Sequence, residues 1–275
     1  ATVAHFSAET LDRQNPQGLG DLFTYEPGVV ADEGESGDLG DLRIRGMGQN
    51  RVLILEDGVE LPPDYSFGRD VKTNRHFFDL DVMKEVNIIK GPMSTLYGGS
   101  ALAGGVFMQT KDPEDFIKEG NQWGGQVKLG YHTSNREWHT ALTGAGKLTE
   151  ELSSFIRLTY KDGHEKRNYY GKATSESILG ESRKHPNPLS SHTYNLLNKW
   201  VYEPNTHHKL SLTFEHFRDK FNGEHLSEIG GLNVIPDLSS MPSGIASMYS
   251  HGAYKTTNEN RRTQFTFRHD FTTKT

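Results

Sequence analysis

The strongest constraint on the fold is an alternation of apolar and polar residues that begins near Gly124 and continues to the end of the chain. In GQVKLGYH, Val127, Leu129 and Tyr131 fall on one side, and Gln126, Lys128 and His132 fall on the other. A period of two residues is the pattern of a β-strand with one apolar face. Similar segments run at 153–160, 208–217 and 261–271, and two less regular ones at 138–146 and 194–202. The sequence therefore predicts about six strands of roughly nine to eleven residues, the length of a tilted membrane strand.

The connections between these segments differ in length. Two are tight turns, at 148–151 and 203–207, and two are long polar stretches, at 161–191 and 218–260. The short connection TSNRE falls on the same side as the long ones. Short turns at one end and mostly long loops at the other are typical of an outer-membrane barrel. Trp200 and Tyr202 lie beside a short turn, where an aromatic girdle is expected.

Composition excludes several classes of function. The formal net charge is -6, whereas nucleic-acid binding normally requires a basic face, so no nucleic-acid partner is predicted. The absence of cysteine excludes disulfides and thiolate metal sites. No apolar run reaches the length of a membrane helix, and no leader sequence is recognisable, so we expect either a cytoplasmic protein or one whose leader has been removed.

Residues before the alternating region indicate a small α/β unit. Ser7 is expected to cap a helix that ends near Arg13. Asn15 and Pro16 have the chemistry of a second helix start, which predicts a helix through QGLGDLFTYE that stops at Pro27. A strand is expected after GDLGDLRIRG, and two more at VMKEVNIIKG and VFMQTK.

A hairpin is predicted in RVLILEDGVEL, because Asp57-Gly58 separates two apolar runs. The stretch that follows, LPPDYSFGRDVKTNRHFF, is polar and contains Pro62-Pro63, so it is interpreted as a loop. We expect a polar connector at DPEDFIKEGNQ.

Glycines are concentrated in VNIIKGPMSTLYGGSALAGGV. Its glycine-rich part, GPMSTLYGGSALAGG, has no lysine, so it does not match a phosphate-binding loop, and RGMGQNR lacks the third glycine of a dinucleotide fingerprint. The remaining interpretation is conformational, since glycine allows positive φ and close backbone approach. No HExxH zinc site or GxSxG elbow is present, and although a Ser-His-Asp triad stays open, no enzyme is predicted.

Three motifs in order resemble the plug domain of a TonB-dependent outer-membrane receptor: NPQGLGDLFTYEPGV, LRIRGMGQNRVLILEDGVELP and VNIIKGPMSTLYGGSALAGGVFMQTK. The resemblance implies an α+β plug domain over residues 1–119, followed by antiparallel transmembrane strands over 120–275. Those strands would be the first part of the family's 22-stranded β-barrel. TKDPEDF and NPLSSHTYNLLNKWVYEPNTHHKLSLTFE are similar to the haem and haemoglobin receptor branch.

Function follows from the resemblance as an expectation. It implies active import across the outer membrane of a Gram-negative bacterium, driven by TonB with ExbB and ExbD. The transported ligand would be haem, or haem taken from host haemoglobin, and outer-membrane lipid would surround the strands. No intrinsic cofactor and no chemistry on the ligand are implied.

The chain also departs from the family pattern. No TonB box is recognisable before Ala4. Six strands are too few to close a barrel, since the smallest have eight. We therefore expect the chain to be a fragment of a longer receptor.

The resemblance places a ligand-binding apical loop at about 61–77. Its candidate ligand-binding residues are Tyr65, Arg69, Arg75 and His76. His76 is the candidate haem-iron ligand, because haem iron takes an axial His or Tyr; the alternative is that it caps or packs at the end of the loop. Further candidates in the extracellular loops are His164, His185, His225 and His251, whereas His207 and His208 lie at a turn expected to be periplasmic.

A structural role in the plug is expected for the motif residues Arg43, Arg45, Gly46, Arg51, Asp57, Gly58, Gly91, Pro92, Tyr97, Gly98, Gly104 and Gly105. Arg43, Arg45 and Arg51 are predicted to pair with acidic groups on the barrel wall. Two other functions stay open. The aromatic and arginine residues of the apical loop would also suit a ferric-siderophore receptor, and the alternation would suit a soluble β domain that binds carbohydrate or protein.

Overall fold

The structure, a computed structural model, describes residues 2–33, 39–63, 65–67, 71–73, 75–167, 179–180, 183–229 and 255–273. Within them lie a five-stranded mixed sheet, a six-stranded antiparallel sheet and two two-stranded hairpins. We call residues 2–117 the plug unit and the six-stranded sheet the wall. No helix among these residues is long and apolar enough to cross a bilayer. The predicted fold class, an α+β unit followed by antiparallel strands, is confirmed.

The plug unit contains nine strands and three short helices. The strands are β1 (Thr2–Ser7), β2 (Val29–Glu33), β3 (Leu39–Ile44), β4 (Val52–Glu56), β5 (Val59–Glu60), β6 (Tyr65–Phe67), β7 (Val71–Thr73), β8 (Met83–Lys90) and β9 (Gly104–Thr110). The helices are α1 (Ala8–Gln14), α2 (Leu19–Leu22) and α3 (Ser94–Tyr97). The main sheet has the order β1-β8-β9-β4-β5, and β4 runs parallel to β9.

Strand β4 lies at the centre of the plug core, and all five of its residues are buried. The predicted hairpin is confirmed: Asp57 and Gly58 both have positive φ, of 50° and 83°, between β4 and β5. Two consecutive positive φ values are what a tight hairpin turn requires, and Asp-Gly supplies them at low cost.

The first helix forms as predicted, with the Ser7 hydroxyl accepting from the Thr10 amide. The predicted second helix is wrong in its start and its length, since α2 is a four-residue turn that begins after Gly18. Asn15 instead ends α1 in a left-handed conformation, with φ 45°. Glycines at 18 and 20 disfavour a longer helix.

The predicted apical loop also differs from the structure, because Tyr65–Phe67 pairs with Val71–Thr73 as the hairpin β6-β7. The strands expected at VMKEVNIIKG and VFMQTK are confirmed as β8 and β9, and the strand expected after GDLGDLRIRG is β4, whereas β3 already begins within that segment.

Gly104 shows why the glycine-rich motif needs glycine. Its φ is 131°, and a Cβ at this position would lie 2.0 Å from the Ile89 carbonyl oxygen. The close approach joins β8 to β9, so any side chain at Gly104 would force these strands apart. The conformational interpretation of this motif holds at this position.

The wall consists of six consecutive antiparallel strands. They are β10 (Trp123–His132), β11 (Glu137–Lys147), β12 (Leu152–His164), β13 (Leu189–Asn205), β14 (His208–Glu224) and β15 (Lys255–Phe271). The predicted number is confirmed, but the last three strands have 17 residues each and are longer than expected. Each pairs with the next in order, and the described sheet is open at β10 and β15.

The two faces of the wall differ as the alternation predicted. Val127 and Leu129 of β10 are exposed on the outer face, as are Ile156 and Leu158 of β12. Side chains of the inner face, such as Phe155, are buried against the plug unit, where the Phe155 ring lies 5.0 Å from that of Phe116. The hydrophobic core of the plug unit thus continues into the wall.

Candidate plug–wall contact and ligand site

A short turn of the plug unit inserts two carboxylates into the wall. Residues Leu80–Val82 form a single 3-10 turn, and the Asp79 carboxylate accepts from the Asp81 amide at 3.2 Å. Both aspartates are buried. The backbone of this turn therefore fixes two anions directly against the strands β10–β12.

Asp81 meets three basic side chains of the wall. Its carboxylate lies 2.5 Å from Lys128 Nζ, 2.8 Å from His139 Nε2 and 2.9 Å from Arg157 Nη2. Burial alone would raise the pKa of Asp81, but the basic neighbours, His139 foremost, outweigh it and hold the pKa far below its ordinary value. These basic neighbours therefore favour the ionised form of Asp81.

Asp79 extends the same contact by one residue. Lys161 Nζ donates to its Oδ1 at 2.9 Å. Burial raises the pKa of Asp79, but the charge and the hydrogen bond of Lys161, together with the charge of His139, bring it below the ordinary value. We call Asp79, Asp81, Lys128, Arg157 and Lys161, together with His139, the upper cluster.

Arg157 is buried in the upper cluster, and both of its terminal nitrogens donate hydrogen bonds. Its side chain is 1 % exposed, and besides Asp81 it donates to Gln126 Oε1 at 3.1 Å and to Thr143 Oγ1 at 2.5 Å. The guanidinium also lies 5.9 Å from the centre of the Phe116 ring. A buried arginine with these partners is fixed in one geometry.

Asp112 forms a second, lower cluster at the end of β9. Its carboxylate lies 2.7 Å from Lys199 Nζ and 3.1 Å from Lys209 Nζ, both of the wall, and 3.4 Å from Lys84 of β8. Burial raises the pKa of Asp112, but Lys199 and then Lys209 lower it to about 2. One carboxylate is thus shared by three lysines.

A third contact has the opposite balance. Glu56 of β4 and Glu215 of β14 both accept from Nη2 of Arg262 in β15, at 2.7 Å for Glu56. Asn195 donates to the other oxygen of Glu215 at 3.0 Å. Burial, and then the neighbouring Glu215, raise the pKa of Glu56 well above its ordinary value despite Arg262. We call Glu56, Glu215 and Arg262 the Glu56 triad.

The predicted pairing of plug arginines with wall carboxylates is wrong for Arg43, which pairs with Asp32 and Asp41 of its own hairpin. Arg51 donates to the Gly48 carbonyl oxygen, and the side chain of Arg45 is exposed. In the part of the chain that the structure describes, the sign of the contact is mostly reversed: the plug unit provides carboxylates and the wall provides cations.

His76 lies where the plug unit meets β14. Its Nε2 is 3.7 Å from Asp219 Oδ2, and its ring packs against Phe78 and Phe217 at 5.6 and 5.9 Å. Asp219 is fully buried and its other oxygen accepts from Thr193 at 2.7 Å. A polar cavity here is lined by His76, Phe78, Thr193 and Asp219, together with Gln17, Asn135, Glu137, Lys161, Lys166 and Ser191.

The other candidate ligand-binding residues of the apical loop differ in their solvent exposure. Tyr65 is 58 % exposed, whereas Arg75 is 5 % exposed and donates to the Val52 carbonyl oxygen at 2.5 Å. Arg75 is therefore turned into the plug unit and is not presented to a ligand. Arg69 lies outside the described residues.

The loop histidines do not come together. The His164 amide donates to the Asn135 carbonyl oxygen, His225 Nε2 lies 3.0 Å from Thr256 Oγ1, and His185 is half-buried. His251 lies outside the described residues. Across the ranges that are described, no three histidine or acidic side chains are arranged to hold a metal ion.

His207 and His208 lie at the opposite end of the wall, where His208 Nδ1 is 2.9 Å from His269 Nε2. The residues that sequence reasoning missed are Glu56, Asp79, Asp81 and Asp112. A signal was present in FFDLDVM, where two aspartates interrupt an apolar run and so must be either exposed or paired.

Comparison with protein families gives one match: residues 1–105 fit the family described as TonB-dependent Receptor Plug Domain. Among curated relatives, hemoglobin-binding protein A of Haemophilus influenzae is 30 % identical over 249 residues, which is 86 % of this chain and 24 % of that protein.

Solved structures give the same fold. The siderophore receptor PirA of Acinetobacter baumannii superposes with a TM-score of 0.64 at 16 % identity, covering 98 % of this chain and 37 % of that one. The Serratia marcescens hemophore receptor HasR, in complex with its hemophore HasA and heme, superposes with a TM-score of 0.62 at 16 % identity. That match covers 81 % of this chain and 33 % of the receptor. The chain thus spans about a quarter to two fifths of the length of these proteins.

Proposed function

Because the chain belongs to the TonB-dependent receptor family, we propose that it takes part in the active uptake of haem, taken from haemoglobin, across the outer membrane of a Gram-negative bacterium. The observation that carries the ligand class is the 30 % identity to hemoglobin-binding protein A, which extends over 86 % of this chain. That match covers wall strands as well as the plug unit. TonB, with ExbB and ExbD, is the proposed energy source.

The division of the molecule supports such a role. The outer face of the wall carries exposed leucine, valine and aromatic side chains, which suit contact with lipid and argue against a soluble binding module. The inner face is polar and holds a compact plug unit through charged contacts. A plug held by ion pairs can be retained at rest and displaced by force, since such contacts depend on geometry.

Tyr65 is our proposed first contact for haem in the apical hairpin. Its side chain is more than half exposed, and a phenolate is an accepted axial ligand of haem iron. His76 is the second candidate. To coordinate iron through Nε2 it has to turn away from Asp219, so its use requires movement of the segment that joins the hairpin to Asp79.

A ferric siderophore is the competing ligand class. It was favoured by arginines in the apical region, and the burial of Arg75 weakens that argument. The likeness to a siderophore receptor is a likeness of fold at 16 % identity.

A haem titration followed by absorbance tests the proposal, in a receptor that contains this chain together with the remaining strands. We expect a Soret shift that Tyr65→Phe weakens by tenfold or more in affinity. His76→Ala tests the second candidate, and Arg43→Ala serves as a control for substitution of an exposed plug residue. A shift lost only in His76→Ala would replace Tyr65 by His76. No shift in the unaltered receptor would overturn direct haem binding, and a ferric siderophore would then be titrated by fluorescence quenching.

A further inference from the structure

The Glu56 triad differs from the other plug–wall contacts in its count of charges. In the upper and lower clusters, one carboxylate is shared by several basic side chains. In the triad two carboxylates share one guanidinium, and the side chains of Glu56, Glu215 and Arg262 are 1, 2 and 7 % exposed. If both carboxylates were ionised, the site would hold a net negative charge away from water.

Geometry brings the two carboxylates close together. Both accept from the same nitrogen atom, Nη2 of Arg262, so their oxygens lie within about two hydrogen-bond lengths of each other. Two carboxyl groups in one low-dielectric site do not both ionise readily, because their mutual repulsion adds to the loss of hydration.

One oxygen of the triad has no partner. Glu56 Oε1 is buried and makes no hydrogen bond, whereas the oxygens of Glu215 accept from Asn195 and Arg262. The other charged group near Glu56 is Asp57, whose carboxylate is already bound to the amide and hydroxyl of Thr110. A buried carboxylate oxygen without a donor is unfavourable, but a protonated carboxyl at this position could itself donate.

We propose that the Glu56 triad holds one proton when the plug unit is docked, and that this proton leaves when Glu56 separates from the wall. Docking of the plug is then coupled to pH through a single wall contact. The proton resides on the Glu56–Glu215 pair, with Arg262 neutralising the remaining negative charge.

The sign of the effect follows from linkage. The pKa of Glu56 is raised in the docked state, whereas in a released plug the carboxyl is hydrated and has an ordinary pKa of about 4.3. The contribution of this proton to the stability of docking is complete below the ordinary pKa of Glu56. It is lost as the pH rises toward the raised pKa of the docked state. Across that window the release equilibrium constant increases about tenfold per pH unit for one proton.

Two aspartates of the plug–wall contacts, Asp81 and Asp112, do not obscure this window. The pKa values of Asp81 and Asp112 are lowered, so their contributions change only below their ordinary value of about 3.9. Asp219, His76 and His139 also lie at the plug–wall contacts, and all three are present in both the unaltered receptor and its variants. A comparison at equal pH removes their effect.

Infrared difference spectroscopy at pH 7 tests the proton directly in the receptor held in detergent. We expect an absorption of protonated carboxyl groups with one component that disappears in Glu56→Gln. Asp112→Asn, a substitution of an ionised carboxylate of the plug–wall contact, should retain this component. If no component of the absorption is lost in either Glu56→Gln or Glu215→Gln, the proposal is overturned.

Release of the plug is the second measurement. This chain has no cysteine, so Ala103→Cys, in the plug core, gives it one thiol, which reacts only when the plug opens; any cysteine in the remaining strands of the receptor is replaced by serine. The labelling rate without Glu56→Gln, divided by the rate with it, cancels the pH dependence of the thiol. We expect this ratio to rise up to tenfold per pH unit above about pH 4.3 and then level off. A ratio that is constant with pH would overturn the coupling, and Glu215→Gln replaces Glu56→Gln if the latter does not fold.

Discussion

The plug unit makes ion pairs in two regions with different physical character. At the Asp79–Asp81 turn, buried carboxylates meet buried cations of the wall. At Arg43, the pair with Asp32 lies within one hairpin, and both side chains are more than two fifths exposed. Charge pairs that look alike in the sequence therefore differ in what they hold together. The buried ones join the plug to the wall, whereas the exposed one only supports a local hairpin.

The largest expected effect is at Asp81. Asp81→Ala leaves Lys128, Arg157 and His139 without their shared anion in a buried site, which should destabilise plug docking by about 3–5 kcal/mol. Urea titration of plug release in the receptor measures this. Asp32→Ala is the matched control, and equal losses in the two variants would contradict the distinction between buried and exposed pairs.

The next largest effect is a pH dependence of stability that originates at Asp112. Its pKa is lowered to about 2, so its contribution is complete above the ordinary value of about 3.9 and is lost as pH falls toward 2. At pH 6, Asp112→Asn should be less stable than the unaltered receptor by about 2 kcal/mol, and this difference should shrink toward pH 2. Unfolding measured at both pH values decides it. A difference that stays constant would show that Asp112 acts by packing alone.

The smallest effect is expected at Arg43. Since the pair is exposed, Arg43→Ala should change the free energy of unfolding by about 1 kcal/mol or less. The same urea titration applies. A loss well above that would mean that Arg43 meets a carboxylate of a strand beyond β15, and it would restore for the remaining wall the pairing that the sequence suggested.

Much of the fold was predictable because it depends on local chemistry. The Asp57-Gly58 turn, the cap at Ser7 and the period of two in β10 are properties of adjacent residues. The helix predicted after Pro16 failed because Asn15 was needed to end α1, and a capping residue can serve either end of a helix.

The plug–wall contacts were not predictable from the sequence in the same way. Asp81 and Arg157 are separated by 76 positions, and their meeting depends on how the plug unit sits against the wall. Alternation correctly placed Arg157 on the inner face but does not identify its partner. The sequence contains more acidic than basic residues, so charge counts alone do not reveal whether the plug unit or the wall provides the carboxylates of the plug–wall contacts.

Strand β1 has a mechanical consequence. It is the edge strand of the plug sheet and is joined to it through six consecutive residue pairs with β8, from Thr2 with Lys90 to Ser7 with Glu85. A tension applied at Thr2, perpendicular to the strands, loads these pairs one after another. Each rupture therefore needs only a small force. The Asp79–Asp81 turn and Asp112 lie beyond β1 and bear the load only after it has peeled away. The order of the strands in the plug sheet therefore determines which part of the plug unit detaches first under tension.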